Sequence, residues 1–145
     1  MATELRKKSP GVTRILIVDD DPGQRSLLET FLRSQGFETV LADSGKKALE
    51  TLRTGKFDMM ISDVRMPGLS GLETLRLARQ EYATLPVLLI TAYTDVRDAV
   101  AAMRDGAVNY LSKPIDLDEL LAGVRQATGL SPSVPQRFDK ERQLP

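Results

Sequence analysis

The sequence contains no cysteine and no histidine. These absences exclude disulfide bonds, thiolate and imidazole metal sites, cysteine nucleophiles and every catalytic scheme that needs an imidazole. Aromatic residues are scarce at 5%, while 41% of the residues are hydrophobic. This balance indicates an aliphatic core between helices and a buried sheet. The chemistry open to the chain therefore rests on oxygen ligands and lysine.

An excess of either charge is also absent, since 20 basic residues balance 20 acidic ones. No net basic field draws the chain onto nucleic acid or anionic lipid, and we expect this segment to bind neither. No apolar run approaches the length of a membrane span, and no apolar stretch of signal-peptide character follows Arg6, Lys7 and Lys8. We therefore expect a soluble, cytoplasmic protein.

Short apolar runs predict five strands, of which the first four have the continuous apolarity of fully buried strands. They lie at residues 15–18, 40–42, 59–61 and 87–90, with a weaker run at 109–111. Such runs are typical of a parallel sheet that is covered on both faces.

The segments between the strands carry apolar residues at helical spacing. The spacing is clearest at Val96, Ala99, Val100 and Met103 and at Leu117, Leu120, Leu121 and Val124, and weaker at Leu27, Leu28 and Phe31 and at Ala48, Leu49 and Leu52. Asp21, Ser70 and Asp116 are placed as N-caps, each three residues before an acid or amide. Gly36, Gly55, Gly106 and Gly129 stand where left-handed C-caps belong. The third helix is predicted over about residues 71–80.

Strand and helix alternate strictly, five of each, which predicts an α/β doubly wound sheet with right-handed crossovers. The 145 residues fit one domain. We expect it to span residues 13–129, after an N-terminal tail at 1–12. Residues 130–145 contain prolines and charges and are typical of a linker, which we expect to lead to an effector domain outside this chain.

Reactive side chains follow four of the five predicted strands. Asp19, Asp20 and Asp21 follow the first strand, Asp63 the third, Thr91 the fourth and Lys113 the fifth. Each has an ordinary explanation: Asp21 as a helix cap, Asp63 as a turn residue, Thr91 as a β-branched strand residue and Lys113 as a surface lysine. In doubly wound sheets, however, ligands bind beyond the carboxyl ends of the strands. The sequence thus indicates one shared site.

Several carboxylates at one site require a cation between them. Two carboxylates ~4 Å apart repel by roughly 4 kcal/mol at an effective dielectric constant near 20. A divalent ion or a lysine relieves this repulsion. Oxygen ligands without histidine or cysteine favour Mg²⁺, or Mn²⁺ in its place.

Four strings in this order resemble the receiver domains of two-component response regulators. They are ILIVDDD (15–21), MMISDVRMPGLSG (59–71), LLITAY (88–93) and NYLSKPID (109–116), within a resemblance that covers residues 14–128. The last two strings, with the segment between them, look most like receivers of sigma-54-dependent transcription activators.

The resemblance implies a flavodoxin-like strand order of 2-1-3-4-5 and a phosphorylation site. It assigns Asp63 as the phosphoacceptor, with Thr91 and Lys113 as catalytic partners. It also assigns Asp20 as a direct metal ligand, Asp19 as a ligand through water and the Arg65 backbone carbonyl as a further ligand. The ion would be Mg²⁺. The Lys113–Pro114 bond is expected to be cis, as in the family.

The resemblance further implies a signalling role rather than a turnover enzyme. A sensor histidine kinase or phosphotransfer protein would donate the phosphoryl group from a phosphohistidine, and the domain would assist its own phosphorylation and dephosphorylation. Thr91 would move toward the phosphate and the Tyr110 ring would fill the vacated space. The face of the fourth helix, fifth strand and fifth helix would then control an effector or form a homodimer.

Further side chains are predicted to tune the site or the dimer face. Arg65 and Tyr93 are large and are expected to slow hydrolysis of the phosphoryl group, whereas Ala92 leaves the acceptor accessible. The charges that could serve a dimer are Arg97, Arg104, Asp105 and Asp118.

Three other functions share parts of the pattern. A flavodoxin-like electron carrier has the same alternation, but the Asp-Asp-Asp-Pro loop would repel the FMN phosphate. A small phosphohydrolase with an aspartyl nucleophile uses a D-x-D motif, which Asp19 and Asp21 satisfy, but it would leave Asp63 without a role. An interaction domain that is not phosphorylated would not need the complete set of site residues.

Overall fold

A computed structural model describes residues 11–92 and 96–129, with the backbone alone at Val96. Five strands and five helices alternate in this part of the chain. They are β1 (Arg14–Val18), α1 (Pro22–Ser34), β2 (Glu38–Ala42), α2 (Gly45–Leu52), β3 (Met59–Asp63), α3 (Gly71–Glu81), β4 (Val87–Thr91), α4 (Val96–Arg104), β5 (Asn109–Ser112) and α5 (Leu117–Ala127). All strand pairs are parallel, in the order β2-β1-β3-β4-β5. The predicted fold and strand order are confirmed.

The sheet separates two cores because successive side chains of a strand point to opposite faces. On β1, Ile15 and Ile17 belong to one core and Leu16 and Val18 to the other. The first core includes Leu28 and Leu32 of α1 and Leu120 and Val124 of α5. The second includes Ala48 and Leu52 of α2, Leu75 and Ala78 of α3, and Ala102 of α4. The helices thus cover both faces of a sheet whose central strand is β3.

The helix ends largely follow the predicted signals. Asp21, Ser70 and Asp116 are the N-caps of α1, α3 and α5, and Ser70 forms a complete capping box with Glu73. Gly36, Gly106 and Gly129 have φ angles of 93°, 99° and 76°, the left-handed region that glycine adopts without strain. The prediction for Gly55 was wrong: it is not among the glycines with positive φ, because α2 already ends at Leu52.

Two burial patterns differ from the sequence prediction. In α4, the small residues Ala99 and Ala102 face the core, while Val100 and Met103 are 50% and 46% exposed. The periodic pattern correctly predicted the helix, but Val100 and Met103, which belong to that pattern, lie on the solvent-facing side of the helix. In β2, Val40 and Leu41 are only partly buried, because β2 is an edge strand with a neighbour on one side alone.

Over residues 11–92 and 96–129, no helix combines the length and the apolar character needed to cross a membrane.

Candidate functional site

Three carboxylates meet at the carboxyl end of the sheet. Asp63 is the last residue of the central strand β3, and Asp19 and Asp20 directly follow the neighbouring β1. One carboxylate oxygen from each lies within 4.8 Å of the others. Asp19 and Asp63 are buried, whereas Asp20 is exposed. The site is therefore open to solvent on one side.

Lys113 supplies a positive charge from the other side of Asp63. Its Nζ donates a hydrogen bond to Asp63 Oδ2 at 3.1 Å. The Lys113 backbone N–H donates to the Thr91 carbonyl at 2.9 Å, and the next peptide bond, Lys113–Pro114, is cis as expected. The backbone hydrogen bond joins the ends of β4 and β5 beside Asp63.

Several buried oxygens of this site lack a hydrogen-bond partner among the described residues. They are Asp19 Oδ2, Asp63 Oδ1 and the Thr91 hydroxyl. Buried polar atoms are normally satisfied, so unpaired oxygens at the ends of the adjacent strands β1, β3 and β4 indicate a place for a ligand. Two carboxylate oxygens and a hydroxyl fit a hard cation together with an oxygen-rich group.

The pKa of Asp19 is shifted mainly by its burial and to a smaller extent by the neighbouring acids. Burial raises the pKa of its carboxyl from the ordinary 3.8 to about 6. The backbone N–H of Asp21, which donates to Asp19 Oδ1 at 2.9 Å, opposes this rise, while the nearby charge of Asp63 adds to it. A single lysine does not balance three carboxylates, so the residues present fit a divalent metal ion.

Asp21 takes no part in this cluster. Its carboxylate accepts hydrogen bonds from the backbone N–H groups of Gly23 and Gln24, which makes it the cap of α1 as predicted. The D-x-D pair of Asp19 and Asp21 is therefore not assembled as two acids facing one substrate.

Comparison with known proteins agrees with this geometry. Residues 15–125 match the family model described as the response regulator receiver domain. The chain belongs to this family. The receiver domain is 41% identical over 120 residues to the transcriptional regulatory protein ZraR of Escherichia coli K12, with 83% of this chain and 27% of ZraR covered. It is 42% identical over 111 residues to the DNA-binding transcriptional regulator NtrC of Klebsiella pneumoniae, with 77% of this chain and 24% of NtrC covered.

A solved structure supports the same assignment. The response regulator TrrA of Thermotoga maritima, in complex with Mg²⁺ and BeF, is 35% identical with a TM-score of 0.74, covering 80% of this chain and 99% of TrrA. The receiver domain spans about a quarter of the length of the curated relatives named above.

The structure describes three of the four remaining predicted residues of the receiver domain: Arg65, Ala92 and Tyr110. The Arg65 guanidinium forms an ion pair with Asp98 of α4, with 3.1 Å between Nη2 and Oδ2. Ala92 is exposed at the end of the first described range, and Tyr93 lies outside the described residues. Tyr110 is an exposed residue of β5, paired in register with Leu89 of β4.

One predicted surface charge is engaged elsewhere. Asp105 accepts a hydrogen bond from the Arg76 side chain of α3 at 2.7 Å, so its charge is paired within the domain, while its part in a dimer face stays a prediction. Arg97, Arg104 and Asp118 are exposed. The ion pair arises because the end of α4 lies beside α3, a proximity that sequence spacing does not reveal.

Sequence reasoning missed two residues of the receiver site. Gly71, the first residue of α3, packs directly against the Asp63 peptide, where a Cβ atom would overlap the Asp63 carbonyl oxygen. Its position in the string after Asp63 predicts only a helix start. Asp98 was missed as the partner of Arg65, because no local signal links residues so far apart in sequence.

Proposed function

We propose that this receiver domain is a phosphorylation-dependent switch in which Asp63 accepts a phosphoryl group. The donor is a phosphohistidine of a sensor histidine kinase or phosphotransfer protein. The main support for this proposal is the environment of the Asp63 carboxylate. Its side chain is 5% exposed, its Oδ2 is held by Lys113, and its Oδ1 has no hydrogen-bond partner among the described residues.

In the transfer step, a carboxylate oxygen of Asp63 attacks the phosphorus in line with the bond to the donor nitrogen. The new O–P bond forms as the N–P bond breaks, and the imidazole leaves with the electron pair. A carboxylate is a weak nucleophile, so catalysis rests on position and on charge. Lys113 Nζ and the Thr91 hydroxyl supply donors for the oxygens of the transferred group.

The metal site uses the same acids. Asp20 and Asp63 are the proposed direct ligands, Asp19 acts through water, and the Arg65 backbone carbonyl completes the set. Mg²⁺ is the expected ion, and Mn²⁺ can replace it, since both prefer oxygen ligands. When bound, the ion neutralises negative charge on the phosphoryl oxygens. By the same chemistry the domain assists its own phosphorylation and dephosphorylation without acting as a turnover enzyme.

The output is proposed to run through Thr91 and Tyr110. The phosphoryl group draws the Thr91 hydroxyl toward it, and the Tyr110 ring then moves inward from its exposed position. Phosphorylation shifts this equilibrium by the difference between its contacts in the two states. Exposed apolar side chains of α4 and of the residue before β5, namely Val100, Met103 and Val108, line the face that would change.

The type of effector and the cellular location of the protein are inferred from the relatives. ZraR and NtrC are transcriptional regulators, so we infer that residues 13–129 control an effector that regulates transcription, of the sigma-54-dependent kind, through a linker at 130–145. A homodimer through the face of α4, β5 and α5 is the alternative output. The protein would act in the cytoplasm.

The test is phosphorylation in the presence of Mg²⁺. Wild-type protein incubated with acetyl phosphate should gain the mass of one phosphoryl group, and Asp63→Asn should gain none. Asp43→Asn is the matched control, since Asp43 is an exposed acid that follows β2 and lies outside the acid cluster. It should be phosphorylated like the wild type, and sedimentation of both forms would show any change of size.

Other outcomes would contradict the proposal. Equal mass gain in wild type and Asp63→Asn would place the phosphoryl group elsewhere. Steady hydrolysis of a phosphomonoester that is abolished by Asp19→Asn would support a phosphohydrolase instead.

A further inference from the structure

The Arg65–Asp98 ion pair joins the phosphoacceptor loop to α4. Arg65 stands two residues after Asp63, and Asp98 lies in the first turn of α4. The Arg65 side chain is 68% exposed, whereas that of Asp98 is only 18% exposed. Both line a groove of about 500 Å³ between the loop and the helix. The ion pair thus links the loop to α4 beside a groove that is open to solvent.

We propose that this ion pair is a latch that phosphorylation of Asp63 opens. The phosphoryl group competes with Asp98 for the Arg65 guanidinium. When the guanidinium binds the phosphoryl group it leaves Asp98, and the first turn of α4 is released. This inference rests on the proposed function of Asp63 as phosphoacceptor. It gives the Arg65 side chain a role in transmitting the signal, in addition to the expected role of its backbone carbonyl in the metal site.

The charges favour such an exchange. A phosphoryl group carries a charge of roughly −1.5 to −2 at pH 7, against −1 for a carboxylate, and its oxygens match the fork of a guanidinium. Exposed ion pairs are weak, so an ion pair of this kind changes an equilibrium by only about two- to fivefold. Arg65 is two residues from Asp63 and its side chain is long, so we expect its guanidinium to reach a phosphoryl group on Asp63.

A second ion pair connects the end of α4 to α3, and it does not involve Arg65 or Asp98. Asp105, just after α4, holds Arg76 of α3 at 2.7 Å. The latch is thus at the N-terminal end of α4, next to the loop that follows Thr91, and the anchor is at its C-terminal end. Opening the latch frees one end of α4 and leaves the other end fixed.

The test measures binding of beryllofluoride, a phosphoryl mimic, with Mg²⁺ in variants of the 145-residue chain. Asp98→Asn removes the competitor, so beryllofluoride should bind about two- to fivefold more tightly than to the wild type. In an Arg65→Gln background the same Asp98→Asn change should have no effect, because the two residues act as one unit. Asp105→Asn is the control: it loosens α4 at its other end and should leave the affinity unchanged.

A second measurement follows α4 directly. Hydrogen exchange of the backbone amides of residues 96–104 should speed up when the wild type binds beryllofluoride. In Asp98→Asn it should be fast already without the ligand.

The outcomes separate this inference from the proposed function. Unchanged or weaker binding in Asp98→Asn, or an equal effect in the Arg65→Gln background, would overturn the latch while wild-type binding still supports phosphorylation of Asp63. Tighter binding in Asp105→Asn as well would show a general loosening of α4 and would also overturn it. Absence of binding to the wild type would overturn both.

Discussion

At the scale of single residues, the position of Asp63 depends on a neighbour without a side chain. Gly71 donates its N–H to the Val64 carbonyl at 2.8 Å, and a Cβ atom built on it would stand 2.8 Å from the Val64 Cα. The same atom would overlap the Asp63 carbonyl oxygen. The first turn of α3 therefore lies directly against the Asp63 peptide, and only glycine permits that approach.

Substitution of Gly71 by alanine should damage the site more than the fold. The added methyl group must push the Asp63 and Val64 backbone away, which costs about 1–3 kcal/mol of stability and displaces the acceptor carboxylate. We expect affinity for Mg²⁺ and beryllofluoride to fall at least about tenfold, as small displacements of a site are costly. Titration calorimetry and urea unfolding of the same sample measure both effects.

Gly123→Ala provides the matched control. Gly123 is a buried glycine of α5, where a Cβ would stand 3.2 Å from Leu88 Cδ1, the end of a flexible side chain. This variant should bind Mg²⁺ and beryllofluoride with wild-type affinity, even if its free energy of unfolding changes. Normal Mg²⁺ and beryllofluoride binding by Gly71→Ala would show that the contact does not position the acceptor.

At the scale of secondary-structure elements, one arginine of α3 holds two loops. Arg79 Nη1 donates to the backbone carbonyls of Tyr82, Ala83 and Leu85 at 3.0, 3.0 and 2.7 Å, and its Nη2 donates to the Gly106 carbonyl at 3.0 Å. The guanidinium thus fixes the connection from α3 to β4 and the turn between α4 and β5. Strand β4, which carries Thr91, is held in place from its far end.

Arg79→Met should destabilise the domain by about 2–4 kcal/mol, because a charged donor is lost and several carbonyls lose their partner. Urea unfolding measures the free energy of unfolding. Arg53→Met is the comparison, since the Arg53 guanidinium pairs with Glu81 in an exposed position, and its loss should cost about 0.5 kcal/mol or less. Equal losses in the two variants would refute the role assigned to Arg79.

At the scale of the whole molecule, Asp19 links stability to pH and to metal. Its folded-state pKa of about 6 lies above the ordinary 3.8, so the fold favours the protonated carboxyl. Without metal, its contribution to stability is fully present below about pH 4 and is lost as pH rises through about 6. A divalent ion needs the ionised form and so reverses this preference.

Stabilisation by Mg²⁺ should therefore grow with pH. We expect the rise in melting temperature on addition of Mg²⁺ to be larger at pH 7.5 than at pH 5, since at the lower pH Asp19 holds a proton. Asp19→Asn without metal should be more stable than the wild type at pH 7.5, by about 1–3 kcal/mol, and should respond much less to Mg²⁺. A pH-independent effect of Mg²⁺ in the wild type would contradict the role of Asp19.

The sequence by itself determined the elements, their order and the residues of the acid cluster. Continuous apolar strands are typical of a parallel sheet covered on both faces, and in such a sheet all carboxyl ends lie at one edge. The strand order 2-1-3-4-5, which the resemblance implied and the structure confirms, places the ends of β1, β3, β4 and β5 side by side, and with them Asp19, Asp20, Asp63, Thr91 and Lys113. Asp21 could be set aside as a cap because capping is a local interaction.

Only the tertiary structure decided what depends on distances between elements. The outward position of Val100 and Met103, the tight contact of Gly71 with the Asp63 peptide, and the Arg65–Asp98 ion pair all follow from how a helix is placed on the sheet. Periodicity shows that a helix has an apolar stripe, but the neighbours decide how much of that stripe is covered. The acids of the cluster can thus be found from local sequence, whereas the Arg65–Asp98 contact with α4 exists only in the packed domain.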